Sequence, residues 1–132
     1  MTRKLARDLT FKIIYQADIQ KENLDVIYKI NAEDKDIDEK SQQYILSTLK
    51  GIEENAENIN SIIAEKSKGW KLNRISKISL ASLKLGIYEV LYNDEIPNTV
   101  AINEAVTLAK LYEGEESAKF VNGILSVVLK EI

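Results

Sequence analysis

The sequence predicts an all-α fold, a compact bundle of about seven helices, and three observations carry that reading. Apolar residues recur at helical steps of three and four, no segment alternates with the period of a strand, and Ser76, Pro97 and Gly114 punctuate the chain at helix-length intervals. With 132 residues, 45% of them apolar and 30% charged, one Pro and five Gly, the chain suits a single domain around one core with little linker.

The first helix is expected over about residues 2–21, with Ala6, Leu9, Ile13 and Ala17 on its inner face. A short second helix follows over about residues 24–30, and the polar run 31–38 connects it onward. Ile45, Leu49, Ile52, Ala56, Ile59 and Ile63 form one stripe, long enough for two helices in tandem. Gly51 lies inside that stripe, where glycine costs up to about 1 kcal/mol relative to Ala, so the two helices are expected to meet near residues 51–54. Ser67, Lys68 and Gly69 close the region.

Ser76 can cap the next helix by accepting from an orphan backbone N–H, and that helix is expected to run to about Asn93. Between residues 78 and 92 it is apolar on most sides, with a thin stripe of Ser79, Ser82, Gly86 and Glu89, which puts it in the middle of the bundle. Pro97 cannot continue it. Another helix is expected from about Thr99 to Tyr112, with Gly114 as a left-handed C-terminal cap. The last helix opens with Glu115 and Glu116, whose charge suits a helix N-terminus, and turns Val121, Ile124, Leu125 and Val128 inward.

Whole classes of function are excluded by what the chain lacks. It has no His and no Cys, which removes the commonest general base near neutral pH, Cys–His pairs, serine triads, thiolate zinc sites and disulfides. Asp34, Asp36 and Asp38 match the opening of a calcium loop, but Glu39 stands where Gly is needed and Ile45 where a bidentate Glu is needed. Lys66-Ser67-Lys68-Gly69 lacks the flanking glycines of a phosphate-cradling loop. Glu115 and Glu116 are adjacent on a helix and point in different directions, with no third group to tune them. The reading is a protein with no catalytic centre, metal or cofactor. Asp8, Lys12 and Asp18 interrupt any signal-peptide core, and no run approaches the ~20 apolar residues of a membrane span, so a cytoplasmic location without membrane contact is expected.

The net charge of −3 hides an uneven distribution. Residues 1–12 hold Arg3, Lys4, Arg7 and Lys12 against Asp8 alone, and residues 65–84 hold six basic groups against Glu65 alone. The acids are concentrated in residues 20–62 and 85–132. Phosphate binding depends on local clusters, because exposed charge is screened beyond ~8–10 Å, so an acidic total leaves an RNA site open.

Two constellations fit such a site. Arg3, Arg7, Phe11 and Tyr15 fall four residues apart on the first helix with Lys4 beside them, a basic row running into aromatics that suits single-stranded RNA. The same spacing fits a solvated helix start with Phe11 and Tyr15 in the core. On the last helix Glu116, Lys119, Phe120 and Gly123 share one side, which leaves Phe120 either buried or exposed as a contact residue.

Longer stretches carry a resemblance. Arg-Lys-Leu-Ala-Arg-Asp at residues 3–8 leads into Ile14-Tyr15-Gln16, and Trp70 and Arg74 precede Leu83-Lys84-Leu85-Gly86-Ile87-Tyr88-Glu89. Ile96-Pro97, then the run 100–106 (VAINEAV), Leu108-Ala109-Lys110, Glu116-Ser117 and the run 119–125 (KFVNGIL) complete the set. Together they resemble the NusB family of transcription antitermination factors, and residues 22–66 agree only in pattern. The resemblance implies a seven-helix bundle of two subdomains, with halves at about residues 1–68 and 69–132. It implies binding of boxA RNA together with NusE, a ribosomal small-subunit protein, in an antitermination complex on RNA polymerase during ribosomal RNA synthesis. Its RNA-facing positions fall on Arg3, Lys4, Arg7, Tyr15, Glu116, Lys119 and Phe120, with Phe120 exposed. Asn122 and Gly123 read as structural, Gly by permitting close helix approach and Asn by satisfying a neighbouring backbone group.

Some positions depart from the family. Asn73 and Ser79 stand where relatives are often acidic and hold NusE, so a partner surface there would be more neutral. Lys84 replaces an arginine of the central block and loses its planar five-donor fork. The opening carries fewer arginines than is usual, which weakens the electrostatic share of affinity. Two other uses remain open: a NusB-like domain of a ribosomal RNA cytosine methyltransferase, which needs this chain to be part of a longer protein, and a helical module that forms a homodimer through its charged faces.

Overall fold

The computed structural model describes residues 1–67 and 72–132. The described residues form seven α-helices and no strand: α1 (Arg3–Gln20), α2 (Leu24–Ala32), α3 (Glu39–Glu54), α4 (Ala56–Lys66), α5 (Lys77–Tyr92), α6 (Asn98–Tyr112) and α7 (Glu115–Lys130), with a single 3-10 turn at Leu72–Arg74. Lys68, Gly69 and Trp70 lie outside the described residues.

The helix starts follow side-chain chemistry. Thr2, Asp38 and Ser76 cap α1, α3 and α5, their side-chain oxygens accepting from the N–H groups of Leu5, Ser41 and Ser79. Lys21 ends α1 in the left-handed region at φ 53°, a position that favours glycine, and its N–H returns to the Ala17 carbonyl.

Two boundaries differ from the sequence reading. The tandem helices meet at Asn55, one residue past the expected window, and Gly51 lies inside α3. The glycine is there for proximity: a Cβ at residue 51 would fall 2.2 Å from the Tyr88 ring of α5. Gly114 does take a positive φ of 113°, but with ψ −172° it is extended, not a helical left-handed cap. It opens α7, while Glu113 ends α6.

Helix α5 is the hub, packing against α1, α3, α4, α6 and α7. Its expected polar stripe is buried as thoroughly as its apolar faces: Ser79, Ser82, Gly86 and Glu89 are all in the interior. Gly86 lets α5 approach α6 and α7, since a Cβ there would lie 2.8 Å from Leu125 and 3.1 Å from Ala105. Leu83, Leu85, Ile87, Ile13, Ile45 and Leu125 are fully enclosed around this hub. Among the described residues, no helix is long and apolar enough to cross a membrane, and no cluster of three metal-ligating side chains exists.

Candidate nucleic-acid interface

Four residues of α-helix turn through about 40° more than one full circle, so a row at that spacing drifts around the helix. On α1 the drift carries the row into the protein. Arg3 and Lys4 are exposed, Arg7 is 4% exposed, Phe11 is 1% exposed and Tyr15 is half-buried against the core. Arg7 is therefore not a surface cation. Its Nε and Nη2 donate to the two carboxylate oxygens of Glu89 at 3.1 and 3.3 Å, and the Tyr44 hydroxyl donates to Glu89 Oε2 at 2.7 Å. Glu89 is completely enclosed, so this triad joins α1, α3 and α5 in the interior. Burial works against the Arg7 charge, but Glu89 and Tyr44 beside it more than offset that and raise its pKa. Burial, with the Glu89 carboxylate next, pushes the Tyr44 phenol far above its ordinary value and keeps it a neutral donor.

The exposed part of this end is smaller and differently composed. Arg3 makes a cation–π contact with Tyr44, its guanidinium carbon lying over the ring 4.6 Å from the centroid. Lys4 borders a groove between α1 and α6 lined also by Leu5, Asp8, Glu104, Leu111 and Tyr112. Tyr112 stacks on Phe11 with centroids 5.3 Å apart and donates from its hydroxyl to Asp8, which pairs with Lys12 at 3.0 Å.

At the other expected site, the start of α7, the fold assembles a pocket of about 670 Å³. Arg74 and Ile75 from the 3-10 turn, Ser76 and Ser79 from the start of α5, Glu113 from the end of α6, and Glu115, Glu116, Ser117 and Phe120 from α7 line it. Phe120 is neither fully exposed nor in the core: it is half-buried, packed on the core from the pocket wall. Glu116 and Lys119 are exposed.

Ser79 is 4% exposed, its hydroxyl 2.7 Å from that of Ser117 and donating to Glu113 at 3.3 Å, so it braces the pocket floor. Asn73 is exposed on the 3-10 turn. Glu115 pairs with Lys110 at 3.0 Å, and that hydrogen bond lowers its pKa. Asn122 and Gly123 are exposed, and a Cβ at residue 123 would meet nothing within 4 Å, so neither serves helix packing. Lys84 is half-buried, its pKa lowered by burial against the pull of Asp18, which is ion-paired to Lys77 at 3.0 Å.

Tyr44, Glu89, Arg74 and Tyr112 are the residues that spacing missed as parts of these sites. Each reaches its site from another helix or turn, so no local pattern joins them. Only the isolated acid Glu89 in an otherwise apolar helix gave a signal, since a buried carboxylate needs a cationic partner.

The model of the NusB family matches residues 4–130, nearly the whole of this bundle. The chain belongs to the NusB family. The transcription antitermination protein NusB of Acetivibrio thermocellus is 50% identical over 130 residues, which cover 98% of this chain and 90% of that protein. The NusB of Ruminiclostridium cellulolyticum is 42% identical over the same shares. Among solved structures, NusB of T. maritima superposes with a TM-score of 0.91 at 36% identity, covering 99% of this chain and 92% of that one. A chain from a crystal structure of the antitermination factors NusB and NusE in complex with double-stranded RNA gives 0.90 at 29% identity, covering 98% and 97%. Both the Acetivibrio and the Ruminiclostridium relatives are named as transcription antitermination proteins.

Proposed function

We propose that this NusB-family protein binds boxA RNA together with NusE and so seeds an antitermination complex on RNA polymerase during ribosomal RNA transcription. The observation that carries the reading is its near-complete overlap, TM-score 0.90 over 98% of the chain, with a NusB solved in complex with NusE and RNA. The two exposed faces divide the work of holding a single strand. Arg3 and Lys4 at the start of α1 neutralise phosphates, the sequence-independent share of affinity. The α7 pocket is rich in carboxylates, with Glu113, Glu115 and Glu116 around Arg74, and would repel a phosphate. It suits an unpaired base instead: the Phe120 ring stacks on it and Glu116 accepts from its amino edge, while Lys119, exposed next to Phe120 on α7, meets the adjoining backbone. Tyr15 adds a second half-exposed aromatic along the strand. Arg7 contributes no phosphate contact, because its fork is occupied by Glu89.

Asn73, which is exposed, and Ser79, in the pocket lining, are the candidates for NusE contact. Filter binding of boxA and scrambled RNA, each with and without NusE, tests the whole reading. Tighter binding of boxA, strengthened by NusE, is expected. Equal affinity for both RNAs regardless of NusE would leave only non-specific phosphate binding by a local basic cluster, and a stable homodimer that excludes RNA would favour the dimerisation reading.

A further inference from the structure

Three features of Arg3 are unusual for a residue at a helix start. It is exposed, it has no carboxylate within ion-pair distance among the described residues, and its guanidinium carbon sits over a ring, 4.6 Å from the centroid, whose hydroxyl is itself tied down. The Tyr44 ring is 7% exposed, and its hydroxyl is tied to Glu89, which Arg7 holds through two further hydrogen bonds. Arg7 lies against the same ring, 5.8 Å from its centroid, and Ser41, one turn before Tyr44 on α3, donates to the Met1 carbonyl at 3.3 Å. The segment leading into α1 is thus fixed against one face of α3.

We infer that Tyr44 is a positioning residue for RNA: it holds the Arg3 guanidinium over its ring, so that the N–H groups of Arg3 stay free for a phosphate. This rests on the reading of Arg3 as an RNA contact. Stacking occupies the face of a guanidinium and leaves its five donors unused, which an ion pair would not do. Glu89 cancels the charge of Arg7, so Arg3 is the cation of this cluster left uncompensated. An arginine held in place loses less side-chain freedom on binding than one free in solvent.

The proposal separates the Tyr44 ring from its hydroxyl. Tyr44→Phe keeps the ring and loses the hydrogen bond to Glu89; Tyr44→Leu loses both. Affinity for a boxA RNA should follow the ring and not the stability. Tyr44→Phe lowers the urea midpoint yet binds as the native protein does, while Tyr44→Leu binds about fivefold more weakly with its salt dependence unchanged, since the charge remains. On an Arg3→Ala background Tyr44→Leu should have no further effect. Native affinity in Tyr44→Leu, or an equal loss on the Arg3→Ala background, would overturn the positioning role.

Should Tyr44→Leu fail to fold, Arg3→Lys at its exposed site makes the same separation. It keeps the charge and loses the guanidinium–ring contact, so about threefold weaker binding is expected, and native affinity overturns the proposal. If Arg3→Ala itself binds RNA as well as the native protein, the RNA reading of this face fails and this inference with it. If Arg3→Ala weakens binding and Tyr44→Leu does not, only this inference fails.

Discussion

The starts of α1 and α7 present the same kind of sequence, charged residues followed by an aromatic at helical spacing, and the fold treats them oppositely. On α1 the row turns inward, so that Arg7 and Phe11 become interior residues and only Arg3 and Lys4 keep their charges in water. On α7 Glu116 and Lys119 stay outside and Phe120 rests half-buried in a pocket wall. The difference lies in the neighbours. The α1 row meets Tyr44 and Glu89, which offer a buried partner for a guanidinium, whereas the α7 row runs along an open pocket whose other charges are mostly acids. A basic row is therefore evidence of RNA binding only after its members have been checked for carboxylates across the core.

The sharpest way to break this contrast is Glu89→Ala, which strands the Arg7 charge in the interior. Removing one partner of a buried pair costs about 3–5 kcal/mol, so urea unfolding should show a protein near the limit of folding. A loss below about 1 kcal/mol would mean that Arg7 escapes to solvent. Phe120→Ala comes next. Half-burial should limit the stability loss to about 1–2 kcal/mol, below the value for a full core aromatic, with about 1–3 kcal/mol of boxA affinity lost as a stacked base loses its platform. A large stability loss with unchanged RNA affinity would move Phe120 to the same class as Phe11.

Gly123→Ala tests the outer face of α7. With nothing near the position, Ala should stabilise the protein by about 0.5–1 kcal/mol through helix propensity, and any accompanying loss of RNA or NusE binding would mark a close approach there. Lys4→Ala should change stability by no more than about 0.5 kcal/mol while lowering the slope of log affinity against log salt by about 0.7, the signature of one phosphate contact that Arg7 is not expected to give.

The smallest effect concerns Glu115, whose carboxyl Lys110 holds below the ordinary value. A depressed carboxylate pKa stabilises the folded state above the unfolded pKa, and that increment fades as pH falls through the folded one. In Lys110→Ala the carbon NMR titration of Glu115 should return to the ordinary glutamate range; an unmoved curve would show that the pair does not form.

The helices were legible because their signals are local. Capping at Ser76, the exclusion of Pro97 from α5 and the apolarity of α5 on most sides depend on residues a turn or two apart, and each appears where its chemistry requires; Pro97 caps the start of α6, and Gly114 opens α7 without forming the expected left-handed cap. The break at Asn55 and not at Gly51 was not legible, since the reason for Gly51 is the Tyr88 ring, 37 residues away in sequence. The candidate site divides in the same way. Arg3, Lys4, Glu116 and Lys119 stand on the surface where spacing put them, but Arg7 was drawn into the interior by Glu89, and Tyr44 and Arg74 were brought in from elsewhere.

By itself, then, the sequence determined which segments are helices, which faces of them are apolar, and which family the chain resembles, because hydrogen bonding within a helix and the period of its side chains are properties of short stretches. Which charges remain free for a ligand was decided by tertiary structure alone. A buried guanidinium is stable only beside a carboxylate that compensates its lost hydration, and that carboxylate stands 82 residues along the chain, where only the packing of α5 against α1 brings it within reach.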